Sequence, residues 1–417
     1  MRGDCGRREQ YNYAREMHST LTESLDVLLP NLEPTLATPD AVLGLKALVG
    51  NLAPILRGGF ECRLNVNAPE VDLQQCIVGS ESELVLLREL IATATSEGGE
   101  SAHPGWFRLN DFLTEWSSSL SPLHNSITEI WLEFDIDKSY PINLITCKSG
   151  NTPPALKGTL PLSRGGLLPD AMITNHPDLI SSASLPIPAI FFGLQQDVSP
   201  AVETYPIATK SLDLLLGDSG WCEWKEKLYR CFKSCPDRVF ISHIGAMLSR
   251  NAPALRVNVK RLQPQLLIPY LQKIGWQHET NELEALMKQL FGLVDRITVC
   301  LDVGKQIYPQ IGLECIFLNQ PDSESRWNTF FNYLVEQGLC EPQKRDALLK
   351  WSGFTNPINA QAPWPNNLIV DSLLQPRERF SVFERRLSHI KISWRKQGQL
   401  SAKAYLWFEH QWLSGKI

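Results

Sequence analysis

Charged side chains alternate with apolar ones in several short segments of the sequence. Arg256 and Lys260 alternate with valines, and in another segment Glu133 and Asp135 alternate with apolar residues. An alternation with period 2 is typical of a β-strand that has one apolar and one polar face. Carboxylates on such a face can accept protons, and ammonium or guanidinium groups can bind anionic oxygen atoms. The sequence therefore predicts that strands carry its chemistry.

Polar rows of this kind recur along the chain. Their members are Glu61, Arg63, Asn65, Asn67, Trp131, Glu133, Asp135, Arg256, Asn258, Lys260, Lys403, Tyr405 and Trp407. The opposite faces of the same strands are apolar, as shown by Phe60, Cys62 and Leu64 of the first strand. If helices cover the apolar faces, the polar rows must point into a lumen, as in closed barrels that hold a ligand.

The predicted strands come in pairs, and helical segments separate the pairs. Strand pairs are predicted at residues 60–67 with 71–78, 129–135 with 189–194, 239–248 with 255–262, 297–303 with 311–318, and 389–394 with 402–408. Helices are predicted at residues 81–95, 107–120, 211–216, 221–233, 265–274, 281–294, 327–337 and 342–351. Strands joined by short loops run antiparallel, and a returning helix pair restores the direction of the chain. We therefore predict an α/β fold in which a closed antiparallel β-barrel of about ten strands is surrounded by helix pairs.

The same pattern predicts one domain over residues 1–417, with an N-terminal helical segment at 1–57 and a C-terminal strand pair at 387–408. Two long segments rich in Pro, Gly and Asn, residues 141–188 and 352–379, exceed ordinary connecting loops. We expect them to act as lids or specificity loops. Trp364 then either covers a barrel mouth or anchors its loop to the helices.

The bulk composition argues against several classes of protein. The chain has 417 residues and a formal net charge of -5, so it has no basic excess for a nucleic-acid partner. It has no run of about 20 apolar residues, which argues against a membrane span, and no signal-peptide core at its N-terminus. The ten cysteines are scattered, as expected for reduced thiols. We expect a cytoplasmic protein, and the composition does not determine its oligomeric state.

Five repeats of a strand pair and a helix pair, with polar strand faces turned inward, resemble the ABBA-fold (PT-barrel) prenyltransferases. The resemblance covers residues 60–408 and is one of architecture rather than of a single motif. It implies that a prenyl diphosphate binds inside the barrel and that an allylic prenyl group is transferred to an aromatic or peptide acceptor, as in natural-product biosynthesis or peptide modification. It implies no required cofactor, with Mg²⁺ as an ion that can assist.

The resemblance also implies which residues bind the substrate. Members of this family hold the diphosphate with Arg, Lys and Tyr from several strands, often as Lys-x-Tyr, and Lys403 and Tyr405 have this spacing. The further candidates on polar rows are Arg63, Arg256, Lys260, Lys391 and the carboxylate Glu314. In the alternative interpretation, these cations form ion pairs with carboxylates across the lumen, and the sequence leaves both interpretations open.

Glu133 is the candidate catalytic residue. Members of the family carry an early-strand carboxylate that orients the acceptor or takes its proton, and burial of a carboxylate raises its pKa toward the range of a general base. The alternative is a salt bridge. Trp131, Tyr405 and Trp407 are candidates for shielding an allylic cation with their aromatic faces, although aromatic residues in strands also serve in packing.

The predicted inward rows are unusually acidic for a diphosphate site. Their carboxylates are Glu61, Glu133, Asp135, Asp302 and Glu314. An alternative function is therefore a barrel protein that binds or modifies a peptide or small metabolite by acid/base chemistry, without a prenyl diphosphate. No metal site is predicted, because Cys231, Cys235 and His243 lack the second half of a zinc-binding spacing.

Overall fold

Eleven strands and eleven α-helices make up the regular structure of the residues described by the computed structural model, which are 21–65, 70–98, 103–136, 185–195, 200–217, 220–249, 254–278, 280–376, 378–395 and 398–414. Strands β1 to β11 are, in chain order, Arg57–Arg63, Val71–Ile77, Ile127–Phe134, Ala189–Leu194, Phe240–Ala246, Ala254–Lys260, Arg296–Gly304, Ile307–Ile316, Gly353–Thr355, Arg379–Trp394 and Leu400–Ser414. Helices α1 to α11 are Leu21–Leu28, Pro39–Val49, Glu81–Gly98, Pro104–Ser117, Tyr205–Leu216, Lys225–Lys233, Pro264–Ile274, Asn281–Phe291, Arg326–Glu336, Pro342–Leu349 and Asn366–Leu374.

Ten of the strands close into a ring. Strands β1 to β8 follow one another in space, β10 and β11 come next, and β11 pairs with β1. The neighbouring strands all run antiparallel. The short strand β9 lies outside the ring, on the part of β10 that extends beyond β8. The predicted closed antiparallel barrel of strand pairs and helix pairs is therefore confirmed.

Helices cover the outer face of the barrel because that face is apolar. Phe192 of β4 packs against Phe112 of α4 with ring centres 6.1 Å apart. Phe60 of β1 meets Trp351, which follows α10, at 5.9 Å. The outward-facing side chains are almost completely buried, so the core lies between the barrel and its helices. The inner face is left to the polar rows.

Local signals set where the helices begin and end. Helix α2 begins at Pro39, and the preceding Thr38 accepts a hydrogen bond from the backbone N–H of Ala41. Helix α7 begins with Pro264 and ends at Gly275, whose φ of 92° is in the left-handed region that favours glycine. Such caps fix the length of each helix and therefore where the next strand enters the barrel.

The structure corrects several predicted boundaries. The C-terminal strand pair is longer than the predicted 387–408, because β10 and β11 stay paired from Arg379 with Ser414 to Trp394 with Leu400. The segment 352–379 is not a plain loop, since it contains β9 and α11. Trp364 is buried there and donates a hydrogen bond from Nε1 to Ser381 Oγ at 3.1 Å, so it anchors the segment to β10.

Some predictions concern residues outside those described. The segment 141–188 lies outside them except for residues 185–188, as do residues 1–20 of the N-terminal segment. The single domain over 1–417 therefore stays a prediction. None of the helices in the described ranges combines the length and apolarity needed to cross a membrane.

Register shifts interrupt the pairing of β3, β5, β7 and β10, and those in β5 and β10 each change the phase of a strand next to a histidine. In β5 the pairing shifts between Ile241, which lies opposite Val259, and His243, which lies opposite Asn258. In β10 a similar shift falls between Leu387 and His389. A bulge inserts one residue and so turns the next side chains to the other face of the sheet. Both histidines therefore face the lumen.

Candidate functional site

The polar rows enclose a cavity of about 260 Å³ inside the barrel. This volume is just below the range of about 300–1,000 Å³ that is usual for small-molecule sites. The predicted site residues that line it are Trp131, Glu133, Arg256, Lys260, Glu314, Lys391, Tyr405 and Trp407. The barrel thus brings these side chains together, while their roles toward a substrate stay predictions.

Two predicted binding residues, Arg63 and Lys403, are not among the residues that line this cavity. The ammonium group of Lys403 forms an ion pair with Glu61. Arg63 forms an ion pair with Glu70 and lies 3.7 Å from Asp72 Oδ2. In the described chain both cations are thus engaged by carboxylates, as the salt-bridge interpretation predicts.

The charges near Lys403 also shift the pKa values of their neighbours. Burial by itself would raise the pKa of Glu61, but the ammonium group of Lys403 outweighs burial and holds that pKa well below its usual range. Burial and the nearby charge of Glu61 raise the pKa of Asp72 to about 6. Asp72 is therefore the carboxyl group here that titrates near neutral pH.

Lys391 and Glu314 form a buried pair at the centre of the cavity wall. Lys391 Nζ lies 3.3 Å from Glu314 Oε1, and Cys300 Sγ donates to the same oxygen at 2.9 Å. Burial opposes ionisation of Glu314, yet Lys391 lowers its pKa to about 2. Glu314 therefore stays ionised at neutral pH and neutralises Lys391, which makes it unsuited to accept a proton.

Arg256 and Lys260 both lie on the inward row of β6, with Asn258 between them. They differ in whether a carboxylate pairs with them. Arg256 forms two hydrogen bonds to Asp302, from Nε at 2.9 Å and from Nη2 at 3.4 Å. Burial by itself would lower the pKa of Arg256, but the charge of Asp302 and its hydrogen bond raise that pKa. Lys260 has no ion pair within the described residues, and burial lowers its pKa. Lys260 is thus the lumen cation that a ligand can approach without displacing a carboxylate.

Glu133 lies on β3 opposite Gln74 of β2. Gln74 Nε2 donates to Glu133 Oε2 at 3.3 Å, and the glutamate is only 5% exposed. Burial raises the pKa of the Tyr405 phenol, and the negative charges of Glu61 and Glu133 raise it further. The carboxylate is therefore held in place by an amide and lies close enough to the phenol of Tyr405 to raise its pKa.

Aromatic side chains occupy two parts of the cavity wall. Trp131 and Phe191 lie opposite each other on β3 and β4. Tyr405 stacks on His389 with ring centres 4.2 Å apart, and the guanidinium of Arg386 lies 5.1 Å from the centre of the Trp407 ring. Because Trp407 already interacts with a cation, Trp131 and Phe191 provide the better wall for shielding a carbocation.

A His–Glu pair in the lumen was not predicted. His243 Nε2 lies 3.0 Å from Glu129 Oε1, and His243 Nδ1 lies 3.1 Å from Ser242 Oγ. Both residues of the pair line the cavity. The hydrogen bond from His243 lowers the pKa of Glu129, so this carboxylate stays ionised. Gly193 leaves room for the pair, since a Cβ there would lie 2.5 Å from Thr128 Oγ1 and 3.3 Å from His243 Nε2.

A strict alternation of inward and outward side chains does not predict this pair, because it places His243 on the same outer face of the barrel as Ile241. The bulge at Ser242 reverses that phase. The sequence does contain a signal for the pair. Gly193 of β4 and Gly245 of β5 are glycines at positions where side chains of the neighbouring strands approach closely. His243 does not join Cys231 and Cys235 in a zinc site, and the described residues contain no cluster of three or more potential metal ligands.

Comparison with known proteins gives matches in fold only. No model of a protein family matches the chain, and no curated protein matches it. The prenyltransferase PriB in its apo form aligns with a TM-score of 0.48 and 10% identity over 93% of this chain and 96% of that chain. The 5-dimethylallyltryptophan synthase from Streptomyces coelicolor aligns with a TM-score of 0.46 and 12% identity over 93% and 97%. These values assign no role to any residue of this chain.

Proposed function

We propose that the protein transfers an allylic prenyl group from its diphosphate to an aromatic or peptide acceptor inside the barrel. The observation that carries this proposal is that one cavity inside the barrel combines an accessible cation, an aromatic wall and a buried carboxylate. These are Lys260, the pair Trp131 and Phe191, and Glu133. The combination suits a reaction that separates an anion from a carbocation and then removes a proton.

In this reaction the bond between the allylic carbon and the diphosphate oxygen breaks, and its electron pair leaves with the diphosphate. Lys260 stabilises the departing anion, and the faces of Trp131 and Phe191 shield the cation without capturing it. A π-electron pair of the acceptor forms the new carbon–carbon bond. The acceptor then loses a proton to Glu133, which restores its aromaticity.

The direct test incubates the full chain with dimethylallyl diphosphate and tryptophan or a tryptophan-containing peptide. We expect an acceptor that has gained one prenyl group, detected by mass spectrometry, together with an equal amount of released pyrophosphate. Binding of dimethylallyl thiodiphosphate should raise the melting temperature, because a ligand of the native state stabilises it. If neither transfer nor stabilisation is seen, the proposal is wrong.

A second candidate function is favoured by the pairing of the other lumen cations. Arg256 and Lys391 are each neutralised by a carboxylate, and His243 and Glu129 form an acid/base pair. These features suit a barrel that binds or modifies a peptide or small metabolite without a prenyl diphosphate. Stabilisation by peptides or metabolites in the absence of any effect of the thiodiphosphate supports this second function.

The need for a cofactor and the location of the protein belong to the same proposal. We propose that no cofactor is required and that Mg²⁺ can assist, which turnover in EDTA with and without added Mg²⁺ will test. The cysteines of the described residues are free thiols, in keeping with the cytoplasmic location that we propose. Fluorescence microscopy of a tagged chain tests the location.

A further inference from the structure

Two buried polar atoms in the wall of the lumen have no hydrogen-bond partner among the described residues. They are Oδ1 of Asn258 on β6 and Nε2 of His389 on β10, and both residues line the lumen. Leaving a buried polar atom without a partner is costly, so folded proteins keep few such atoms unless a water or a ligand satisfies them. The two atoms therefore indicate where the lumen receives polar atoms from outside the chain.

Glu314 fixes which end of the Asn258 amide is free. Its Oε1 accepts a hydrogen bond from Asn258 Nδ2 at 3.5 Å. Glu314 stays ionised beside Lys391, so an amide turned the other way would bring Asn258 Oδ1 against a negatively charged oxygen. The NH2 group therefore faces Glu314, and the carbonyl oxygen of Asn258 is held as a free hydrogen-bond acceptor.

His389 supplies the matching donor. Burial lowers the pKa of His389, so its imidazole is neutral at neutral pH and carries a single N–H. Nδ1 lies 3.1 Å from Ser388 Oγ, whose hydroxyl can donate to it, while Nε2 lies 3.9 Å from Glu314 Oε1. The negative charge near Nε2 favours the tautomer that has its proton there. Since 3.9 Å is longer than a hydrogen bond, the Nε2–H group is left as a donor.

The free acceptor and the free donor lie near each other and are held in place. Asn258 Nδ2 and His389 Nε2 both approach the same oxygen, Glu314 Oε1, and the His389 ring stacks on Tyr405 with ring centres 4.2 Å apart. An amide presents one N–H and one C=O side by side, which is the complement of this arrangement. An ester lacks the N–H, and a carboxylate also lacks it and is repelled by Glu314.

We propose that Asn258 and His389 recognise an amide group of the acceptor, with Asn258 Oδ1 accepting from its N–H and His389 Nε2 donating to its C=O. The acceptor is thereby an aromatic compound that carries a carboxamide, a lactam or a peptide bond. That this ligand accepts a prenyl group rests on the proposed function, whereas the recognition of an amide in the lumen does not.

The experiment compares the affinities of the full chain for indole-3-acetamide and for methyl indole-3-acetate by calorimetry. The two probes share the ring and the C=O, and only the amide has an N–H to donate to Asn258. We expect the unmodified chain to bind the amide about tenfold more tightly, because the ester leaves Asn258 Oδ1 without a donor. Asn258→Leu keeps the shape of the side chain without its polar atoms and should reduce the preference to about twofold or less.

A second variant tests the donor separately. His389→Phe keeps a ring that can stack on Tyr405 but has no N–H, so we expect it to weaken the binding of both probes by about tenfold. Asn125→Leu is the matched control for Asn258→Leu, because it makes the same change at an exposed turn that does not line the lumen. We expect it to keep the full preference for the amide. Thermal melting shows which variants are folded, and if Asn258→Leu is not, His389→Phe still decides.

The outcomes separate this inference from the proposed function. Equal affinity of the unmodified chain for the two probes, no binding of either probe, or a preference that survives in folded Asn258→Leu overturns the recognition of an amide. Unchanged binding of both probes by His389→Phe overturns it as well. If the probes bind as expected but no prenyl transfer occurs, the recognition stands and the proposed function fails. If both probes are prenylated with equal KM and Asn258→Leu changes neither value, the function stands and the amide proposal fails.

Discussion

At the scale of the residue, Glu133 and Glu314 are two buried carboxylates of one cavity with different partners. Glu314 is neutralised by Lys391, and Glu133 accepts a hydrogen bond from the amide of Gln74. Glu314 therefore stays ionised beside Lys391 and is unsuited to accept a proton, which leaves Glu133 as the candidate proton acceptor of the two.

We predict that Glu133→Gln lowers the rate of prenyl transfer by about 10²-fold or more, because the amide keeps the shape of the side chain but cannot accept a proton. Affinity for the thiodiphosphate should be unchanged, since the donor contact that we propose is made by Lys260. Single-turnover kinetics and calorimetry measure the two effects separately. An unchanged rate would assign the proton to another acceptor, with the ionised Glu129 as the next residue to change.

Asp72 makes stability depend on pH. Its pKa is raised to about 6 in the folded chain, from a model-peptide value of 3.8, so the folded state binds the proton more tightly. The stability that Asp72 contributes is therefore fully present below about pH 4 and is lost as the pH rises through about 6.

We predict that Asp72→Asn becomes more stable relative to the unmodified chain between pH 4 and pH 7, by on the order of 2 kcal/mol. The asparagine oxygen can still accept the hydrogen bond that the backbone N–H of Ile136 donates to Asp72. Urea denaturation at a series of pH values measures the difference. Two parallel stability curves would show that Asp72 does not titrate in this range.

At the scale of the element, the helix pair α7 and α8 contains two glycine caps in opposite conformations. Gly275, after α7, has a φ of 92° and open space around the position of a Cβ. Gly292, after α8, has a φ of -74° and would place a Cβ 3.4 Å from Gln289 O, an ordinary contact. The two sites differ in backbone strain rather than in packing.

We predict that Gly275→Ala destabilises the protein by about 1 kcal/mol, because a residue with a Cβ is strained in the left-handed conformation. Gly292→Ala should be neutral or stabilising by up to about 1 kcal/mol, since it restricts the unfolded chain without strain in the folded one. Chemical denaturation of both variants tests this, and equal effects would contradict it.

The elements also show what the sequence can and cannot predict. Alternation predicts β6 and most of β11 because each keeps one phase along the lumen. It fails at Ser242, where one extra residue turns His243 inward. It also cannot supply the partners on neighbouring strands, because Lys403 and its partner Glu61 are 342 residues apart in the chain. The positions of the cations and the alternative that carboxylates neutralise them were therefore predictable, but which carboxylate meets which cation was not.

At the scale of the whole molecule, the ring leaves β1 and β11 without a free edge, whereas among the described strands β9 is paired with β10 alone. Amides of a closed ring exchange only when large parts of the sheet open, while an outer strand opens locally. We predict that the amides of β1 and β11 are among the most slowly exchanging and that those of β9 exchange much sooner. Hydrogen exchange read by mass spectrometry measures this, and early exchange of β1 would show that the barrel opens at its closing seam.

The closing seam between β1 and β11 has a further consequence during synthesis. Arg57 of β1 and its partner Glu409 of β11 are separated by 352 residues. At roughly 5–20 residues per second, a ribosome needs roughly 20–70 s to make the second partner after the first. For that time β1 presents an unpaired edge to the cell, and its charged ends Arg57 and Arg63 oppose pairing with another chain. We therefore expect these two arginines, which later pair with carboxylates of the folded barrel, to lower the tendency of the nascent chain to aggregate.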